Sequence, residues 1–219
     1  CVPPAAISPP LAPPPDALPP GTTVTPATIW ELQHAGQAPG GEMPVVEAAC
    51  TTFASTYANT VVRTSGVVTA TLGNGFYMQA PPAESPHAAE SIEEAAKWTG
   101  IWVYTGSRVP WVQELAIGQR VEVVARVTEY HSLTELVHVT EHSILNGGVS
   151  TPIEPVNVTT GELGTACNAQ GEAYEGVLVR LSNARVTTDP AADGGILVDD
   201  GSGATELQDE IFDSDDFLK

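Results

Sequence analysis

Between Arg120 and Thr128 the chain reads RVEVVARVT, and its side chains alternate in kind with a period of two. Val121, Val123, Ala125 and Val127 fall on one side, while Arg120, Glu122, Arg126 and Thr128 fall on the other. Successive side chains of an extended chain point to opposite faces, so this stretch specifies a half-buried strand. The pattern recurs in TVVRTSGVVTATL (60–72), where Val62, Val68, Ala70 and Leu72 can share one face and Arg63, Ser65, Thr69 and Thr71 the other. Asn74-Gly75 follows, a pair suited to the positive φ values of a tight hairpin, and FYMQ (76–79) returns. GIWVYTG (100–106) presents Ile101 and Val103 on one face and Trp102 and Tyr104 on the other; HSLTELVHVTEHSIL (131–145) completes a set of five short strands, expected to be antiparallel.

A closed barrel joins five such strands without leaving a bare edge. The expected fold is therefore mostly β: a five-stranded Greek-key barrel of the oligonucleotide/oligosaccharide-binding (OB) kind over residues 26–150. TPATIWELQH (25–34) reads as a short helix or turn. Between the second and third strands lies an insertion in which Ser91-Ile-Glu-Glu94 fits a reciprocal capping box, predicting a helix over 91–98 with Gly100 as its C-cap. A second OB-like unit is expected over 151–219, because EGVLVRLSNARV echoes SGVVTATLGNGF and GGILVDDGSGATEL supplies two strands around the Asp200–Gly203 turn. Two further strands would be needed to close it. Either this unit is truncated or a protein partner supplies the missing strands.

Charge narrows the function classes. The chain of 219 residues carries 8 Lys and Arg against 27 Asp and Glu, a formal charge of −19. Proteins that hold nucleic acid by its phosphates gain affinity by displacing counterions with cations, and this chain has few to offer. Aromatic residues are only 6% of the chain, so the core is expected to be thin and rich in valine and alanine. No apolar run is long enough to span a bilayer. Nine of the first twenty residues are proline, and the first is cysteine. That start resembles a mature bacterial lipoprotein, which implies acylation at Cys1, a membrane partner through the lipid, a stiff leader over 1–25, and localisation at the bacterial outer membrane or cell surface. In such an exported chain Cys50 and Cys167 are either a disulfide pair or two independent thiols.

SGVVTATLGNGFYMQ, GIWVYTG and GQRVEVVARVTEYHSLTEL, in that order, resemble the barrel module of secreted bacterial extracellular nucleases, and GEAYEGVLVRLSNARV with GGILVDDGSG is similar to the second module of the same proteins. The likeness covers about 28–212. In that family such modules precede a metal-dependent endonuclease/exonuclease/phosphatase-type domain, and no position of this chain matches its catalytic motif. The resemblance implies a non-catalytic, membrane-tethered module that positions an adjoining nuclease domain or binds single-stranded nucleic acid weakly. The alternative is an acidic cell-surface interaction lipoprotein with protein or calcium-mediated contacts.

Candidate ligand-binding residues are Tyr77, Trp102 and Tyr104, which share the outer face of two neighbouring strands, with Arg120 and Arg126 as nearby cations. They could stack on bases or simply be packed beneath another part of the chain. No organic cofactor is implied. Calcium is the candidate ion, at Asp199, Asp200 and Asp209, although no EF-hand spacing is present. His138 and His142 are four residues apart, a metal-binding interval on a helix but roughly 13 Å apart on a strand.

Overall fold

The computed structural model describes residues 18–19, 21–34, 53–149, 151–165, 169–188 and 195–208. Cys1, Cys50, Cys167 and Asp209 lie outside them, and so do the lipidation site, the disulfide and one of the three expected calcium ligands. The first part of the chain forms β1 (Val24–Pro26), α1 (Ile29–His34), β2 (Val61–Leu72), β3 (Gly75–Gln79), α2 (Ile92–Ala96), β4 (Gly100–Tyr104), α3 (Pro110–Gln113), β5 (Arg120–Tyr130) and β6 (Leu133–Ile144). The rest forms β7 (Val156–Asn157), α4 (Thr160–Leu163), α5 (Ala169–Glu172), β8 (Val179–Arg180), β9 (Arg185–Val186), β10 (Ile196–Asp199) and β11 (Ala204–Leu207). The protein is mostly β.

Six strands lie in the order β1-β2-β3-β4-β6-β5, and β5 also pairs with β2, so the sheet closes on itself through five of them. The β2–β5 seam runs antiparallel from Val61 opposite Arg126 to Val67 opposite Arg120. The sheet is mixed, which corrects the antiparallel expectation: β4 and β6 run parallel, with Trp102 opposite Glu135 and Val103 opposite Leu136. The reason is a crossover. The chain leaves β4 through α3, pairs β5 against β2, and returns as β6 beside β4 in the same direction.

The expected alternation puts one face of β5 in the core, whereas in β2 Val68 pairs with the core residue Met78 but Ala70 pairs with the outward Tyr77, so Ala70 and Leu72 leave the face expected of them. Val121, Val123, Ala125 and Val127 are all buried, and they join Val62, Val68, Phe76, Met78, Ile101, Val103 and Leu136 in one core. Ile29 and Leu32 of α1, and Val112 with Leu115 from the α3 turn, extend it. The register shift between Val68 and Ala70 is what changes the face, and before it Val67 and Val68, on opposite faces of β2, are both buried.

Two local expectations are corrected. Leu72 pairs with Gly75, so the hairpin turn is Gly73-Asn74, and none of Gly73, Asn74 and Gly75 has a positive φ. The helix after Ser91 is shorter than predicted and ends at Ala96. The Glu94 amide donates to Ser91 Oγ as expected, but the Glu94 carboxylate turns to Lys97 Nζ at 2.6 Å. Trp98 takes the left-handed conformation, and Gly100 already belongs to β4.

Beyond the barrel, β9, β10 and β11 form an antiparallel three-stranded sheet and β7 pairs with β8 in parallel. Val156, Val158, Tyr174 and Val177 make a second small core that includes Ala96 of α2.

Candidate protein-docking face on strands β3 and β4

The outer face of β3 and β4 carries the aromatic candidates. The register sets Tyr77 opposite Trp102, and their rings lie 4.7 Å apart, tilted by 47°. Trp102 is only 7% exposed, because its indole lies across Gly75, where a Cβ would fall 2.7 Å from Trp102 Cζ2. Tyr77 and Tyr104 remain half-exposed.

The other end of this face is covered by the chain itself. Gln79 is wholly buried, and its Oε1 accepts a hydrogen bond from the Leu178 amide at 2.9 Å. The Trp98 amide donates to the Ala173 carbonyl at 2.7 Å. Gly100 and Gly176 touch backbone to backbone: a Cβ on Gly100 would stand less than 3 Å from the Gly176 carbonyl carbon and oxygen and from the Val177 nitrogen. Only glycine permits that approach. From α1, Gln33 Nε2 donates to the Gly100 carbonyl at 2.7 Å.

Arg120 and Arg126 stand on β5, which pairs with β2 and β6 and not with the aromatic strands. Arg120 forks onto the Glu84 carboxylate, which raises its own pKa and lowers that of Glu84, and it also reaches Ser65 Oγ at 3.1 Å. Arg126 donates to the Asn59 carbonyl at 3.3 Å. The structure therefore brings Tyr77 and Trp102 together and leaves both arginines elsewhere.

Where the 172–178 segment meets the barrel, acids gather. Glu129 of β5 accepts hydrogen bonds through Oε1 from the Ser55 amide at 2.8 Å and from Thr134 Oγ1 at 2.9 Å. Glu175 accepts from the Thr134 amide at 3.0 Å and from the Gln33 side chain. Burial, with the Glu129 charge added, pushes the buried Glu135 and the half-buried Glu172 up to about 7. Burial and then the Glu172 charge push Glu175 up to about 8, against the pull of its two hydrogen bonds. Nothing in the sequence singles these residues out: they are spread from 129 to 175 and look like ordinary surface acids in a chain this acidic.

The expected calcium ligands are engaged within the chain. Asp199 Oδ1 accepts from the amides of Gly201 and Gly203. Asp200 accepts from the amide and hydroxyl of both Thr160 and Ser202, and these hydrogen bonds, led by those from Ser202, hold its pKa down at about 2. Asp200 thereby ties the N-terminus of α4 to the β10–β11 turn. Both His138 and His142 lie on β6, and His142 stacks on Trp111 at 4.0 Å with ring planes 9° apart. Among the described residues, no three His, Cys, Asp or Glu side chains are grouped to hold a metal ion, and no helix is long and apolar enough to cross a membrane.

Compared with family models, with curated proteins and with solved structures, the chain finds no match. The class that the coordinates define is a mostly β protein built on a sheet closed through five strands.

Proposed function

We propose that this chain is a non-catalytic scaffold module whose barrel is of the OB type, and that its β3–β4 face serves as a seat for another part of the polypeptide. The single observation that carries this reading is the Gly100–Gly176 backbone contact, reinforced by the Leu178 amide on buried Gln79. In OB barrels that face is where ligands lie. Here half of it is occupied in cis, which favours positioning a following domain over displaying a stacking platform. Net charge argues the same way, since the candidate arginines are engaged by Glu84 and Asn59.

A second reading, weak binding of single-stranded nucleic acid, draws its support from the half-exposed Tyr77 and Tyr104 beside Trp102. Fluorescence anisotropy of a labelled single-stranded DNA, with and without calcium over a range of salt, separates the two. The scaffold reading expects no binding at any salt. Salt-sensitive binding that disappears in the Trp102→Ala/Tyr104→Ala double variant would establish the second reading instead. Nuclease activity of the purified chain would overturn both.

A further inference from the structure

We propose that the cleft bounded by the end of the β2–β5 seam, the insertion after β3 and the connector 151–157 is a binding site for a small amphipathic amine, a molecule with a compact apolar body and one ammonium head. The site stands apart from the scaffold reading, since it shares no lining residue with Tyr77, Trp102 or Tyr104.

The fold builds the walls. The seam ends where Val67 pairs with Arg120. Val68 points into the core, so Val67 points outward, yet it is only 5% exposed. It lies at the base of the cleft, with Pro81 and Pro82 on one side and Pro152 and Ile153 on the other. The connector is pinned at both ends. The Thr151 amide donates to the Gly118 carbonyl at 2.8 Å, and the Val156 amide donates to the Leu178 carbonyl at 3.2 Å. Gly118 lets the Pro152 ring come close, since a Cβ there would fall 2.8 Å from the Pro152 nitrogen. The cleft so formed holds about 480 Å³. Small-molecule sites are of this size, roughly 300–1,000 Å³, and are mostly apolar with a few polar groups.

The lining decides the class of occupant. Most of it is valine, isoleucine and proline. Ile92 and Val149 on its rim are 55% and 66% exposed, so apolar surface is left for an occupant to cover. The charged groups of the lining are Arg120, Glu93 and Glu154. Arg120 is answered by Glu84. Lys97, further along the insertion, is held by Glu94 at 2.6 Å. Among the described residues neither Glu93 nor Glu154 makes an ion pair. The cleft therefore presents two carboxylates without a cation, beside apolar walls. An anionic head is repelled there, a neutral one gains only the walls, and an ammonium head balances the charge.

Chemical-shift titration of the full chain at neutral pH and near-physiological salt tests this with four probes. Cyclohexylmethylammonium carries body and head, cyclohexylmethanol the body alone, cyclohexanecarboxylate the body with the opposite charge, and methylammonium the head alone. The first is expected to shift the Val67, Gly118, Thr151 and Val156 amides saturably. It should bind about fivefold tighter than the alcohol, the upper range for an exposed ion pair. The carboxylate and methylammonium should leave those amides in place. Glu93→Gln/Glu154→Gln is expected to abolish the preference for the amine and keep the affinity for the alcohol. Should that pair fail to fold, Glu154→Gln alone, at an exposed position, is expected to narrow the preference. Ile92→Ser/Val149→Ser should weaken amine and alcohol alike, by about tenfold for the lost apolar contact. Unmoved Val121 and Val127 amides report an intact barrel in each variant. No shift of the lining with the amine, equal shifts with methylammonium, or a preference that survives in the Gln variants would overturn the site. Tighter binding of N-acetyl-leucyl-lysyl-leucinamide than of the free amine would make the cleft a polypeptide seat and overturn the small-ligand assignment.

Discussion

Gly100 of β4 and Gly176 after α5 are seventy-six positions apart and meet with no side chain between them. A methyl group on Gly100 would collide with the carbonyl of Gly176 and with the Val177 nitrogen, which are backbone and cannot rotate aside. Overpacking of this kind costs about 1–3 kcal/mol. Gly100→Ala is therefore expected to lower stability by about 2 kcal/mol in urea unfolding. It should also remove exchange protection at the Trp98 and Leu178 amides, both bonded across this contact, while leaving Val121 and Val127 of the barrel wall protected.

Gly75 makes a similar demand inside the sheet. Its missing Cβ leaves room for the Val103 carbonyl and the Trp102 ring, while its φ is not positive. Gly73, two residues earlier, has open space around it and no positive φ either. Gly75→Ala should cost about 2 kcal/mol. Gly73→Ala should stay within about 0.5 kcal/mol of the parent, the usual range for a surface change. If turn conformation rather than close approach governed this hairpin, the two variants would behave alike. Equilibrium unfolding of the pair decides it.

The contrast between these glycines shows how far the sequence could be read. Val121, Val123, Ala125 and Val127 announce their burial because alternation is a local property of an extended chain. The hairpin and the insertion helix are legible for the same reason, through Ser91 and the residues round Asn74. The local sequence makes Gly100 a helix cap because it follows a helix, whereas its actual partner is Gly176, which no local pattern reveals. The parallel β4–β6 pair depends on where a crossover lands, not on the composition of either strand. Glu129 and Glu175 are joined through Thr134 only by the fold. Asp199 and Asp200 stand out in the sequence, but oxygen-rich side chains in a Gly-Ser-Gly turn serve backbone amides as readily as a cation, and here they serve the amides.

Asp200 is the hub of one such arrangement, with Thr160 and Ser202 both donating to it. Its pKa of about 2 lies below the ordinary 3.8, so the folded state favours the ionised form. The stabilising effect is then complete above pH 3.8 and is lost as pH falls through 2. A carboxyl carbon titration should place Asp200 near 2 in the folded chain. Asp200→Ala should shift the amide resonances of Thr160, Gly161 and Ser202 while leaving those of β2 and β5 in place. A normal titration, or an unmoved Thr160, would remove this anchor from the α4 contact.

At the α3 end of the barrel, Trp111 lies edge-on to the core residue Phe76 at 5.7 Å and face-to-face with His142. Burial of the His142 ring lowers its pKa below 6.5, because the imidazolium is poorly solvated under an indole. For a base with a depressed folded value, protonation opposes the fold, so this stack weakens as pH falls below 6.5. Trp111→Leu keeps an apolar cover over Phe76 but opens the ring face of His142 to water. The His142 titration, followed through its ring proton resonances, is expected to move up towards 6.5 in that variant. A His142 midpoint equal in parent and variant would mean that the stack with Trp111 does not control its protonation.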